Sequence, residues 1–165
     1  MKLMRPRGFT LIELLVVIAI IAILASIILA SLGSAQSKSR DVRRRADLKQ
    51  LQTALELYQN DYNSYPSTGG SANWHGNCSG YGSYGTSGAG GWVPNLAPSY
   101  IPVLPLDPKP VPPSACYLYR SDGTNYKLLA YNTVENTVLS TDTMYDPARP
   151  TGKTYAVYTP GARTW

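Results

Sequence analysis

Hydrophobic residues are concentrated at the front of the 165-residue chain. From Leu14 to Leu32 there are 19 residues without a charge, broken in polarity only by Ser26 and Ser31. At 1.5 Å per residue this is roughly 28 Å of helix, about one hydrocarbon thickness of a bilayer. Gly33 weakens the pattern by roughly 1 kcal/mol relative to Ala. No proline occurs between Pro6 and Pro66, so the helix is predicted to continue. Val42, Leu48, Leu51, Leu55, Tyr58 and Tyr62 then recur mostly at three- and four-residue intervals, an apolar stripe for packing. The predicted helix runs from Phe9 to about Asn60.

Beyond Tyr65-Pro66 the periodicity changes. Ser67–Gly91 is rich in Gly, Ser and Tyr and Trp92–Pro113 in Pro, compositions that lose too much entropy to fold alone and are expected to lie as an extended loop over the domain. Ala115–Arg120 and Tyr126–Tyr131 have strand character and flank Ser121-Asp122-Gly123-Thr124, where Asp-Gly marks a turn. Thr133–Ser140 and Lys153–Thr159 are candidates for two further strands. Antiparallel strands packing one face on the second half of the helix give an α+β domain, because a hairpin alone is marginal. The expected layout is an apolar helix half over 9–33, an amphipathic half over 34–62, a loop over 63–114 and a small antiparallel sheet with a tail over 115–165.

Composition refines this reading. One Phe against thirteen Tyr suits a domain whose rings keep one wet edge. The net charge of +5 is local: Lys2, Arg5 and Arg7 precede the apolar run, and Lys38, Arg40, Arg43, Arg44 and Arg45 follow it against Asp41. From Ala46 onward seven cations face eight anions, so charge does not predict a polyanion-binding globule. The Lys38–Arg45 run could meet DNA or acidic headgroups, but no aromatic residue interleaves it, and a solvated helix face offering charges to neighbouring subunits is the favoured reading. Cys78 and Cys116 lie beyond the apolar segment, where a pair reads as a disulfide; the alternative is two unrelated thiols.

A plain membrane anchor, a cleaved Sec signal and a processed leader all begin with a basic stretch and an apolar run. The run is longer than a Sec signal core, and Glu13 beside it serves no purpose in such a signal. A carboxylate next to an apolar helix needs a partner or a route to the headgroups. Arg7-Gly8-Phe9-Thr10-Leu11-Ile12-Glu13-Leu14-Leu15-Val16-Val17-Ile18 closely resembles the processing site of type IV prepilins and type II secretion pseudopilins. The resemblance implies that residues 1–8 are a leader, removed by a prepilin peptidase cutting between Gly8 and Phe9. Phe9 then becomes an N-methylated terminus, and the Glu13 carboxylate pairs with the terminal amine of a neighbouring copy as helices stack. It also implies a pilin-like fold, self-assembly into a filament, and an assembly platform with an ATPase motor. The precursor would be a single-pass cytoplasmic-membrane protein with its C-terminal domain outside, later part of an extracellular pilus or periplasmic pseudopilus. The five cations of Lys38–Arg45 outnumber those of the leader, so a positive-inside count points the other way; the processing motif is the more specific signal. Ser64-Tyr65-Pro66, Tyr100-Ile101 and Leu104-Pro105-Leu106-Asp107-Pro108 are similar to segments of major pseudopilins.

Little else suggests chemistry. His75 is the single histidine, and no nucleophile elbow, phosphate loop or Cys–His pairing is present, so neither an enzyme nor a cofactor is expected. Asp122, Asn125, Asp142 and Asp146 are oxygen ligands that could gather around calcium, which some major pseudopilins bind, although a turn accounts for Asp122 and Asn125. The expected function is a structural subunit of a type IV pilus-like filament. The alternatives are a secretion pseudopilin acting as a short piston, favoured by Leu104–Pro108, and a membrane-tethered module binding DNA or another ligand.

Overall fold

The computed structural model describes residues 8–70, 73–109 and 113–165; residues 1–7, which include the leader's cations, lie outside the described residues. The chain divides into two units, Met1–Ser37 and Lys38–Trp165. One helix, α1 (Leu11–Tyr62), begins in the first unit and ends in the second. Gly33 sits within it with open space around its Cα, so its cost is the intrinsic one of a helical glycine.

In the second unit, β1 (His75–Gly76), β2 (Cys116–Ser121), β3 (Tyr126–Tyr131) and β4 (Tyr155–Tyr158) form an antiparallel sheet in the order β1-β2-β3-β4. Leu118 pairs with Leu129, and Leu129 with Ala156. The β2–β3 turn is built as its sequence suggests: Asp122 Oδ1 accepts from the Thr124 and Asn125 amides, and Gly123 takes φ 93°.

The period-2 alternation of the strands divides the sheet into two faces. Tyr117, Tyr119, Tyr126, Leu128 and Ala130 pack with Leu48, Leu51, Ala54 and Leu55 of α1. Cys116, Leu118, Leu129 and Ala156 form a second cluster on the other face, covered by Trp74, Tyr81, Tyr131 and Tyr158. Both faces are therefore covered, where only one was expected.

Four local expectations need correction. Thr133–Ser140 is not a strand: the Glu135 and Asn136 amides donate to the Asp41 carboxylate on α1 instead of to a ladder. The Pro-rich segment does not merely lie over the domain, because Trp92, Val93, Leu96, Ile101 and Leu104 are buried in its core. The loop also contains β1, which pairs with β2 through His75 and Tyr119. Finally, the apolar stripe of α1 is narrower than its spacing implied. Leu48, Leu51 and Leu55 are fully buried, whereas Val42 is 66% and Tyr62 61% exposed. At the start of the second unit the buried positions belong to Asp41 and Arg44.

Candidate functional site

The candidate site begins where α1 begins. Thr10 precedes the helix, and the Thr10–Glu13 spacing is that of a capping box. The Thr10 amide and hydroxyl donate to Glu13 Oε2 at 2.8 and 2.7 Å, while the Glu13 amide donates to Thr10 Oγ1 at 3.3 Å. The carboxylate thus satisfies otherwise unpaired donors of the first turn and adds negative charge at the positive end of the helix dipole. Thr10 is the residue that reasoning on Glu13 alone missed. The signal was present in the Thr-x-x-Glu spacing immediately before an apolar run.

Every residue from 8 to 29 is exposed, among them Phe9 at 83% and Leu11 at 82%. By length and composition the helix is long and apolar enough to cross a membrane. Phe9, Ile12, Glu13, Val16 and Val17 line a shallow surface hollow of about 350 Å³. A carboxylate at the edge of such an apolar surface can meet a cation only from outside that surface.

The Lys38–Arg45 run was expected to be a solvated face; it is mostly engaged within its own chain. Arg44 is fully buried. Its Nε and Nη2 donate to the two Asp107 oxygens, both at 2.8 Å, and Nη1 donates to Asp41 Oδ1 at 2.7 Å. Arg40 forms a two-pronged pair with Glu135 at 2.6 and 2.7 Å. Lys109 and Arg44 also reach Glu135. Hydrogen bonding from Arg40, against the cost of burial and with help from Lys109 and Arg44, holds the Glu135 carboxyl at about 2. Burial works against the Arg44 charge, and its bonds to Asp107, Asp41 and Glu135 more than restore it. This run is a clasp between the helix, the Pro-rich segment and the segment after β3. Arg43 remains largely exposed beside Asp47.

The oxygen ligands considered for calcium are separately engaged. Asp122 closes the β2–β3 turn, and Asn125 Oδ1 accepts from the Thr159 hydroxyl at 2.9 Å. Asp142 pairs with Arg45, and Asp146 is fully buried between Lys127 at 2.7 Å and Arg149 at 2.8 Å. Among the described residues no group of three or more His, Cys, Asp or Glu side chains is arranged to hold a metal ion. Cys78 and Cys116 are joined in a disulfide that ties the Gly-rich loop to the first residue of β2. His75 stacks on Tyr84 with centroids 3.9 Å apart, and burial pushes its imidazole pKa down.

Comparison with known proteins finds similarity over part of the chain. Residues 3–29 match the family model described as the prokaryotic N-terminal methylation motif. The chain is 42% identical over 64 residues to the type II secretion system core protein G of Pectobacterium carotovorum, a match covering 39% of this chain and 41% of that protein. It is 49% identical over 61 residues to the type IV wide pilus major component PilA4 of Thermus thermophilus, covering 37% of this chain and 47% of that protein. The chain thus spans less than half the length of these curated relatives. No solved structure matches it.

Proposed function

We propose that this chain is a structural, non-enzymatic subunit of a helical filament of the type IV pilus and type II secretion pseudopilus kind. The observation that carries this reading is Gly8-Phe9-Thr10-Leu11-Ile12-Glu13 heading an apolar stretch of α1 in which every residue from 8 to 29 is exposed. The order of events follows the resemblance to prepilins. The apolar helix holds the precursor in the cytoplasmic membrane, with the second unit on the far side. A prepilin peptidase cuts between Gly8 and Phe9, and the new terminus on Phe9 is methylated while keeping its positive charge. Both bonds from Thr10 fall on Glu13 Oε2, so Oε1 is the atom offered to the Phe9 amine of the next copy. In a low-dielectric bundle that pair favours one axial register, because a slipped copy leaves two charges buried without partners. An assembly platform and its ATPase motor move the subunit out of the bilayer. Once outside the bilayer, each Leu, Ile or Val side chain buried among identical helices is favoured by roughly 1.5–3 kcal/mol over exposure to water.

The relatives named for type II secretion favour a second reading within the same architecture, a periplasmic pseudopilus in place of a surface fibre. Both readings require the same processing and the same charge pair. Intact-mass measurement of the protein recovered from cells carrying a prepilin peptidase should show loss of residues 1–8 and one methyl group on Phe9. Glu13→Ala should be processed normally and fail to polymerise. Mature protein that retains Met1, or normal filament yield from Glu13→Ala, overturns the mechanism.

A further inference from the structure

The end of α1 and the Pro-rich segment enclose an open groove of about 400 Å³ that the assembly mechanism does not use. Tyr58, Tyr62 and Tyr100 supply its aromatic walls, and Asn95 and Ser99 are among its polar lining. The rings are set against one another: Tyr58 and Tyr62 have centroids 4.5 Å apart, and Tyr100 stands edge-on to Tyr58 at 5.5 Å. The Tyr100 hydroxyl donates to Asp61 Oδ2 at 2.6 Å, which fixes that ring and pushes its phenol pKa up. The opposite wall is held by main-chain bonds, Gly88 N to Ala97 O at 2.9 Å and Asn95 N to Gly88 O at 3.0 Å. Asn95 sits at φ 58°, a left-handed conformation that Asn tolerates better than most residues. The groove is therefore a formed surface, not a gap between loose segments.

We infer that this groove is a binding site for a neutral saccharide, the tyrosine rings receiving the C–H face of a pyranose and Asn95 and Ser99 its hydroxyls. Three observations select that class. Among the described residues no lysine, arginine or histidine lines the groove, and the nearby Asp61 carboxylate accepts from the Tyr100 hydroxyl, so nothing there attracts phosphate or nucleic acid. Its lining combines rings with phenol, amide and hydroxyl groups, which suits a ligand with one apolar face and many donors and acceptors and not a purely apolar one. Tyr, Ser, Asn and Gly together form the composition that binding loops use for rigid contact area with adaptable hydrogen bonding. A disaccharide held by these contacts should bind with a dissociation constant on the order of 1 mM. The site lies wholly within Lys38–Trp165, so the inference does not depend on polymerisation.

The full chain, held in a zwitterionic detergent without sugar headgroups, should be titrated with lactose, maltose and N,N′-diacetylchitobiose by calorimetry. Saturable binding of at least one sugar is expected, weakened at least about tenfold by Tyr62→Ala. Tyr62 is exposed at the end of α1, so that variant should fold. Asn95→Gly keeps the left-handed backbone, deletes the amide and should weaken binding as well. The inference is overturned if none of the three sugars binds, or if binding survives both substitutions unchanged. A thymidine oligonucleotide that binds in a Tyr62-dependent way would also overturn it, since the charge argument excludes that ligand.

Discussion

Arg44 is buried with three carboxylates around its guanidinium. A buried guanidinium is tolerated only when its donors are matched, and here Asp41, Asp107 and Glu135 match them. Arg44→Met should leave three carboxylates facing one another and cost about 3–5 kcal/mol, read as a lowered Tm. Arg44→Lys should recover only part of this, since an ammonium cannot span Asp107 with two parallel bonds. Glu135 gives the same network a pH signature. Its folded value of about 2 lies below the ordinary 4.5, so its contribution is complete above pH 4.5 and is lost as pH falls toward 2. Glu135→Gln should flatten the dependence of Tm on pH across that window. Asp142 and Asp146 lead to a further expectation. With their charges matched by Arg45, Lys127 and Arg149, a chelator should leave Tm unchanged. Only the Asp41–Arg44 pair, three residues apart, could be read along the chain. Charges at helical spacing ordinarily mark a wet face, and the other two partners of Arg44 lie 63 and 91 residues away.

At the scale of elements, legibility followed the range of the interactions. The apolar run, the Asp-Gly turn and strands β2 and β3 declared themselves because their causes lie within a few residues. Thr133–Ser140 misled because its amides are captured by Asp41, nearly a hundred residues earlier in the chain. The loop holding Trp92 also misled, since Gly and Pro composition conceals the few large side chains that make it part of the core. The Thr10–Glu13 cap was local and readable, yet interest in the Glu13 charge obscured its ordinary role in starting a helix. The disulfide links residues 38 apart, and the chain-entropy account assigns it about 4 kcal/mol. Cys78→Ser together with Cys116→Ser should lower the unfolding free energy in urea by up to that amount. The first change to appear should be proteolytic nicking in the Gly-rich loop rather than loss of the sheet.

At the scale of the whole molecule, the two units have opposite requirements. Residues 8–29 bury nothing of their own and need lipid or other helices, whereas Lys38–Trp165 has a core, a matched set of ion pairs and a closed covalent loop. The start of α1 and the apolar run that follows it were legible in the sequence, because the Thr10–Glu13 spacing and the run of uncharged residues are local features. The tyrosine groove was not, since it joins residues of α1 to residues about forty positions later.

The folded unit's first buried contacts have a mechanical consequence. Tension drawn along α1 enters the unit at Lys38 and meets Arg40, Asp41 and Arg44 within two turns. Through Glu135, Asn136 and Asp107 these residues grip two distant stretches of chain. A tug is thereby divided among several charged bonds that must yield together, before any of it can peel Leu48 from the sheet. Such a joint should keep the second unit folded while its helix is pulled.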